Sequence, residues 1–341
     1  MRILLDSHST VTQNDSGGLQ VRIFEHLHAL GKKNVDVKLF NKWEDKIENF
    51  DIYHLFKVTK DSYNEVLFAK QKGKKIVVSA VVPLSGGRNI SISLLLASLC
   101  HLSLPYEFIR KVLNLADIVT TQTEDEKLFL IKYFKIKSFK IIVIPNGVSH
   151  RFVEQKKLEV SFSAIYNLHK PYVLQVGRFD KNKNQLNVIK ALRKTDIPVV
   201  FIGGPFVNEM KYYEQCKNEL TDNMLMTGWL DHKSDLILSA FREAKVLVLP
   251  SCHETFGNVL IEGGVSGTNL TCSESLPINK HELSRYWTTF NPIDEISIRN
   301  AILYEYEKIS DNSMQDAFIS AFSWDKVIDQ YLCVYRKLLN K

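Results

Sequence analysis

The stretch His-Glu-Thr-Phe-Gly-Asn-Val-Leu-Ile-Glu-Gly-Gly occupies residues 253–264, and its neighbours predict the local fold around it. It follows an apolar run at residues 246–249, which predicts a buried parallel strand. Residues 250–256 predict a tight loop, and a helix is predicted from Gly257 onward because the following apolar residues contain no breaker. Strand, loop and helix therefore succeed one another, as they do in α/β proteins.

The predicted start of this helix is suited to binding an anion. Backbone N–H groups at a helix start lack intrahelical partners and favour negative charge, and Gly257 lets a ligand approach the main chain closely. Glu254 lies in the loop and Glu262 about two turns along the helix, so two carboxylates can flank one ligand at different depths. The alternative is that both are solvated acids at a helix end, and spacing alone does not separate the two explanations.

A Glu, seven residues and a second Glu around a Phe-Gly pair resemble the donor-site signature of the family-4 retaining glycosyltransferases. This resemblance implies an α/β protein of the GT-B fold, with two Rossmann-like, doubly wound parallel-sheet domains that face each other across a cleft. It also implies that Glu254 lies beside the transferred sugar and that Glu262 holds the ribose of the nucleotide. The backbone amides of Phe256, Gly257 and Asn258 would then contact the sugar hydroxyls.

Two further motifs resemble the same family. Gly177-Arg178, four residues and Lys183-Asn184 follow a strand predicted at residues 172–176, and Ile-Pro-Asn-Gly-Val occupies residues 144–148. The first motif implies that Arg178 and Lys183 hold the leaving diphosphate. Two cations suit this role because departure of a nucleoside diphosphate builds negative charge on its oxygens.

Glycines near predicted strand ends add weaker signals. Asp-Ser-Gly-Gly at residues 15–18 precedes a helix predicted at residues 19–30, as a phosphate-cradling loop would, but it is neither Gly-x-Gly-x-x-Gly nor a P-loop. The family resemblance implies that Gly17 and Gly18 lie against the donor diphosphate. It also implies that the backbone at Gly228 passes along the nucleotide base.

Strand-like and helix-length segments alternate in both halves of the chain, which predicts doubly wound parallel sheets. We expect an N-terminal acceptor-binding domain at residues 1–160 and a donor-binding domain at residues 161–322, with a cleft that closes on binding. Residues 151–170 lack a periodic pattern and predict the linker. Residues 323–341 resemble the family's terminal Ser-Trp helix, which packs back on the first domain.

Positive charge is concentrated in the first half of the 341-residue chain. Residues 1–150 contain 21 Lys and Arg against 15 Asp and Glu, whereas residues 151–341 contain 23 of each. This excess predicts contact with anionic lipid headgroups or a phosphate-bearing acceptor, the alternative being a solvated surface. No motif for binding nucleic acid accompanies the charge. The lysines form two clusters, Lys70, Lys72, Lys74 and Lys75, and Lys132, Lys135, Lys137 and Lys140.

Residues 89–106 carry no formal charge. Their serines make them too polar for a membrane span, so they predict a helix that is buried or lies on a membrane surface, with core packing favoured. The first residues of the chain do not resemble a cleavable signal, and we expect a cytoplasmic protein that can lie on the cytoplasmic face of the membrane.

No metal or organic cofactor is expected. The five cysteines are scattered without a Cys-x-x-Cys pair, and the chain contains no Asp-x-Asp. Cationic side chains and a helix terminus can carry out the charge neutralisation for which other transferases use a metal ion.

The chain departs from the family pattern at three places. Val81-Val82 stands where many members have His-Asp, so no acceptor-side histidine is assigned. Ser273-Glu274-Ser275 replaces a frequent Gly-Gly pair after the last donor strand. Gly263-Gly264 occupies positions that commonly carry Ala in this helix.

The sequence therefore predicts a retaining, metal-independent glycosyltransferase that moves a sugar from a UDP- or GDP-sugar to a lipid-linked or surface-polysaccharide acceptor. The leaving diphosphate is expected to take the acceptor proton, because no residue is placed as a covalent nucleophile. One alternative is another enzyme on the same scaffold, either a sugar-nucleotide epimerase or a glycan phosphorylase, although no lysine is assigned to the pyridoxal phosphate that a phosphorylase needs. The other is a non-catalytic subunit that binds sugar nucleotides, against which the intact set of Arg178, Lys183, Glu254 and Glu262 argues.

Overall fold

The computed structural model describes residues 1–8, 11, 18–81, 87–100, 104–154, 156–206 and 208–340. The chain divides into two compact units. One consists of Met1–Gly147 together with Trp324–Lys341, and the other of Val148–Ser323. The boundary between the two units lies before Val148, whereas the sequence predicted that the first domain ends at residue 160.

A six-stranded parallel sheet forms the centre of the first unit, in the order β2-β1-β3-β4-β5-β6. Both of its faces are covered by apolar side chains, as expected for a parallel sheet. Its strands are β1 (Arg2–Asp6), β2 (Asp36–Leu39), β3 (Ile52–Phe56), β4 (Lys75–Ser79), β5 (Ile118–Thr121) and β6 (Ile141–Val143). The helices along residues 1–147 are α1 (Gly18–Lys32), α2 (Ser62–Gln71), α3 (Gly87–Cys100), α4 (Pro105–Leu115) and α5 (Glu124–Phe129), the last continued by a π-helical segment, Leu130–Phe134.

The charge-free segment at residues 89–106 forms parts of two helices rather than one. Pro105 is the first residue of α4, where its missing N–H costs nothing, and α3 has ended at Cys100. Ile90 and Leu94 are buried, but the expectation of core packing is wrong for the opposite face of α3. Among the described residues, no helix is long and apolar enough to cross a membrane. Among the described side chains of α3, the exposed large apolar ones are Ile92, Leu95 and Leu96.

The second unit also contains a six-stranded parallel sheet, in the order β12-β11-β10-β7-β8-β9. Its strands are β7 (Val173–Val176), β8 (Val199–Ile202), β9 (Met224–Gly228), β10 (Val246–Leu249), β11 (Asn269–Ser273) and β12 (Trp287–Phe290). Its helices are α6 (His150–Val153), α7 (Phe162–Ile165), α8 (Gln185–Leu192), α9 (Met210–Asn218), α10 (Asp235–Glu243), α11 (Asn258–Val265), α12 (Glu295–Glu307) and α13 (Asn312–Phe322).

Residues 151–170 are not the plain linker that their sequence predicts. Phe152 and Phe162 are buried in the same apolar core, and the Phe152 ring lies 5.1 Å from that of Phe241 on α10. Two isolated aromatic residues do not produce a periodic pattern, but burying each removes a large apolar surface from water. They anchor this segment in the second unit.

The terminal helix α14 (Trp324–Leu339) belongs to the first unit. It covers one face of that sheet together with α1. The Tyr335 hydroxyl lies 2.9 Å from Nε2 of His26 and 2.6 Å from Nδ1 of His54, and all three side chains are buried. Burial holds the pKa of both histidines well below its usual value, so they form a neutral hydrogen-bonded contact that joins α14 to α1 through His26 and to β3 through His54.

Candidate functional site

The site lies at the carboxyl ends of β7 and β10, which are hydrogen-bonded neighbours although β8 and β9 separate them in the sequence. Ligands of open parallel sheets bind at such ends. The loops that follow the two strands, residues 177–184 and 250–257, are therefore adjacent. These loops contain half of the site residues that the sequence predicted, namely Arg178, Lys183, Glu254, Phe256 and Gly257.

Lys183 and Glu254 form the centre of the site. The Lys183 Nζ lies 2.5 Å from the Glu254 Oε1, and the two side chains are only 19% and 17% exposed. A Cβ atom on Gly177 would lie 3.6 Å from the aliphatic part of Lys183, so the glycine backbone lines the path of this side chain. The contact unites two predicted site residues that are 71 positions apart in the chain.

Asp180 holds the two predicted cationic residues in place. One of its carboxylate oxygens accepts a hydrogen bond from Arg178 Nε and the other accepts one from the backbone N–H of Lys183 at 2.8 Å. Its side chain is 9% exposed, whereas that of Arg178 is 48% exposed, with the guanidinium carbon 4.8 Å from the centre of the Phe206 ring. Asp180 is not among the site residues predicted from sequence, although it lies between Arg178 and Lys183 in the same motif.

Two asparagines, also unassigned from sequence, join the loops. The Asn182 side chain donates to the carbonyl of His253 and accepts from its N–H, both at 2.9 Å. Asn184 adopts a left-handed conformation at the start of α8 and donates to the carbonyls of Pro250 and Pro292. Asparagine tolerates this conformation better than most residues, so the spacing Asp-x-Asn-x-Asn was the signal available in the sequence.

Helix α11 begins at Asn258, one residue later than predicted, because Gly257 is its N-cap with φ 92°. This left-handed conformation favours glycine. The Phe256 side chain is buried, with its ring 5.8 Å from that of Phe322, and it anchors the loop in the core. The first amides of a helix point out of its N-terminus, so the predicted sugar-binding amides lie at an electropositive helix end.

Glu262 lies in the second turn of α11 and is partly buried. Desolvation raises the pKa of its carboxyl to about 7, and the positive charge of Lys183 acts in the opposite direction. A carboxyl group whose pKa is raised in the folded state makes folding less favourable as pH rises.

We expect Glu262→Gln to stabilise the protein at alkaline pH. Between the unperturbed pKa of about 4.5 and the raised value of about 7, the folded state binds more protons than the unfolded state, so the penalty grows across that window. The substitution should raise the free energy of unfolding by roughly 1–3 kcal/mol at about pH 8 and by much less at about pH 5. Urea denaturation of both proteins at the two pH values measures this, and an equal difference at both would contradict the raised pKa.

The unusual pair Gly263-Gly264 is explained by packing. A Cβ atom on Gly263 would lie 2.6 Å from the Leu247 side chain and 2.8 Å from that of Leu270, and one on Gly264 would overlap the Phe318 ring. Helix α11 therefore lies unusually close to β10, β11 and α13. These glycines are structural rather than ligand contacts.

Glycines also line the ends of β8 and β9. The N–H of Gly203 donates to the carbonyl of Gly228 at 2.9 Å, and the Gly177 carbonyl occupies the space that a side chain on Gly203 would need. Gly228 has φ 76° and open space beside it, and it is followed by Trp229, which is 59% exposed. The predicted base-binding position is thus an accessible backbone next to an exposed aromatic ring.

Other predicted residues lie elsewhere. Gly17 and Val82 are outside the described residues, and Gly18 is the first residue of α1 in the other unit. Ser273 is buried at the end of β11, while Glu274 and Ser275 are exposed. Within the described ranges, no group of three or more His, Cys, Asp or Glu side chains could hold a metal ion.

The chain resembles solved GT-B glycosyltransferase structures over its whole length. HepE from Anabaena, solved in complex with UDP, aligns with a TM-score of 0.76 and 14% identity over 99% of this chain and 100% of that one. Sucrose-phosphate synthase from Thermosynechococcus elongatus aligns with a TM-score of 0.74 and 16% identity over 100% of both chains. The two parallel sheets with flanking helices are thus the GT-B fold.

Residues 156–290 match the family model described as glycosyl transferases group 1. This range contains Arg178, Lys183, Asp180, Glu254 and Glu262. A processive diacylglycerol alpha-glucosyltransferase from Acholeplasma laidlawii is 26% identical over 48% of this chain and 50% of its own length. The chain therefore spans about half the length of this curated relative.

Proposed function

We propose that this protein is a retaining, metal-independent glycosyltransferase that transfers a sugar from a UDP- or GDP-sugar to a lipid-linked or surface-polysaccharide acceptor. The observation that carries the proposal is the contact between Lys183 and Glu254, with Arg178 oriented beside it by Asp180. A cation for the phosphates and a carboxylate for the sugar must meet at the bond that breaks, and here they are 2.5 Å apart.

In the proposed step, the bond between the anomeric carbon and the diphosphate oxygen breaks, and a bond from an acceptor oxygen to the same carbon forms on the same face. The acceptor proton passes to an oxygen of the departing diphosphate. Lys183 and Arg178 stabilise the negative charge that develops on the leaving group. Glu254 orients the sugar hydroxyls and stabilises positive charge at the anomeric carbon, while Glu262 accepts hydrogen bonds from the ribose.

The names of similar proteins support the classes of substrate. HepE is solved with UDP, and the relative from Acholeplasma laidlawii is named for diacylglycerol. A lipid acceptor would bring the protein to the cytoplasmic face of a membrane, and the charge asymmetry agrees with that location. The first unit contains 25 Lys and Arg against 17 Asp and Glu, and the second contains 19 against 21.

Incubation with a panel of radiolabelled UDP- and GDP-sugars tests this function. We expect slow hydrolysis of one donor without acceptor and faster release of its nucleoside diphosphate with a lipid-linked acceptor. Conversion of the labelled sugar into an epimer would identify an epimerase instead. Binding of a donor without any turnover would identify a non-catalytic subunit.

We expect full transferase activity in excess chelator. Lys183, Arg178 and the N-terminus of α11 supply the positive charge that a metal ion provides in other transferases. The measurement compares initial rates with EDTA, with added magnesium and with added manganese. Loss of activity in EDTA and its recovery with either metal would overturn the metal-free mechanism.

A further inference from the structure

We infer that the outer face of α3 and the lysines at residues 132–137 form one surface that docks on an anionic lipid bilayer. The inference rests on the membrane-bound acceptor proposed above and identifies the part of the first unit that makes the contact. The apolar face of α3 consists of three exposed side chains, Ile92, Leu95 and Leu96.

Helix α3 is apolar on two opposite faces. Ile90 and Leu94 lie in the core at 3% and 6% exposure. The apolar face points away from that core, with exposures of 50%, 59% and 45%. Its residues are spaced three and four apart, so they share one side of the helix. Large apolar side chains that point away from the core are normally covered by a partner or by lipid, but on this helix they are exposed, beside the exposed polar residues Asn89 and Ser91.

Lys132, Lys135 and Lys137, called the free lysines, lie on a segment beside this helix. The Tyr133 ring lies against Gly87, the first residue of α3, and Lys132 Nζ is 5.2 Å from the centre of that ring. Lys135 and Lys137 follow on the same short segment and are exposed, as is Lys132. None of the three forms an ion pair within the described part of the chain. Phe139 extends the segment with a 76% exposed ring, 5.8 Å from the Nζ of Lys137.

The other lysine cluster is different, because its charges are largely used within the protein. Lys70 pairs with Asp117 at 2.6 Å and Lys72 pairs with Glu48. Lys74 donates to the carbonyl of Glu48 at 2.6 Å. Of the two clusters that the sequence predicted to meet lipid, the structure therefore favours residues 132–137.

Uncompensated positive charge next to exposed apolar side chains complements the surface of a bilayer that contains anionic lipids. Neither signal is enough alone, since a short apolar face gives marginal binding and surface lysines act only at low salt. Removing one lysine near such a surface weakens binding about fivefold, which is about 1 kcal/mol. Together the two signals give reversible, salt-sensitive binding.

The test is co-sedimentation of the full chain with vesicles of phosphatidylcholine alone and of phosphatidylcholine mixed with phosphatidylglycerol. Binding is expected only to the anionic vesicles and should fall with added salt. Lys132→Gln, Lys135→Asn and Lys137→Gln combined should weaken it roughly 100-fold. Asn is chosen at Lys135 because that residue has φ 58°. The matched control, Lys70→Gln, Lys72→Gln and Lys74→Gln combined, should have a much smaller effect.

The apolar face is tested by Ile92→Gln, Leu95→Gln and Leu96→Gln combined, which should reduce binding at least tenfold. Its control changes three exposed isoleucines of the second unit, Ile293, Ile296 and Ile309, to Gln and should bind normally. Equal binding to neutral vesicles, or equal loss in variants and controls, would overturn the inference. Self-association that only the α3 variant abolishes would assign the face to a second copy of the chain.

Nucleotide binding, measured by calorimetry on the same variants, separates this inference from the proposed function. If the lysine variant and the α3 variant both bind nucleotide and vesicles as the unmodified protein does, the docking surface is rejected and the proposed function is not. Docking as described, without nucleotide binding by the unmodified protein, rejects the transferase alone.

Discussion

Replacing Lys183 with Ala is expected to lower kcat by roughly 10²- to 10³-fold, the scale of losing one preorganised donor to a developing oxyanion. Its ammonium group is held beside Glu254, and it would meet the phosphate oxygens as they gain charge. Because that charge is greater in the transition state than in the bound donor, kcat should fall more than KM rises. Steady-state rates at varied donor concentration measure both parameters.

The matched control is Lys181→Ala, which removes an exposed lysine from the same loop. It should retain near-normal kcat, because Lys183 and not Lys181 pairs with Glu254. Lys183→Arg should rescue incompletely, since a planar guanidinium does not replace a compact ammonium. Circular dichroism should verify that the Lys183→Ala protein is folded, because Glu254 loses its partner in that variant. Similar losses in the two alanine variants would point to overall charge rather than to this site.

The sequence predicted the fold well because alternating apolar strands and helices are local patterns. The run at residues 246–249 is strand β10 as predicted, and α11 starts only one residue late because Gly257 caps it. The contact of Lys183 with Glu254 is not local. It follows from the order of the strands, which places β7 beside β10. The family resemblance implied only that both residues meet one donor, Lys183 at the diphosphate and Glu254 at the sugar.

What the sequence did not predict depends on burial and on side-chain hydrogen bonds. Asp180 resembles any acidic loop residue until its two oxygens are seen to bind Arg178 and the amide of Lys183. Phe152 and Phe162 bring residues of the expected linker into a core. The sequence of α3 also did not show which of its apolar residues would face outward. In each case the outcome depends on a distant partner, which no local periodicity encodes.

The free lysines at residues 132–137 show the same limit for charge. Both lysine clusters are equivalent as sequence, yet Asp117 and Glu48 neutralise much of the first. A positive net charge therefore predicts contact with an anionic partner, but the ion pairs of the folded chain decide which part of the surface makes that contact.

Replacing Glu254 with Gln is expected to reduce kcat about as strongly, roughly 10²- to 10³-fold, with donor affinity changed only a few-fold. The amide keeps the size of the carboxylate and an oxygen for Lys183, but it lacks the negative charge that would stabilise a positive anomeric carbon. The sugar carries that positive charge only as the glycosidic bond breaks, so binding of the intact donor depends on it little. Calorimetric titration of the donor and steady-state kinetics separate the two quantities.

Glu282→Gln removes an exposed carboxylate from the same unit and should leave both kcat and affinity unchanged. The pH dependence of kcat gives a second measurement. Glu262 still titrates in the Glu254→Gln protein, so any effect of its raised pKa on activity should persist there. Should Glu254→Gln and Lys183→Ala both retain near-normal kcat in folded protein, the two residues do not act on the donor. A subunit that binds sugar nucleotides without turning them over would then be the better description, since its binding residues need not meet a breaking bond.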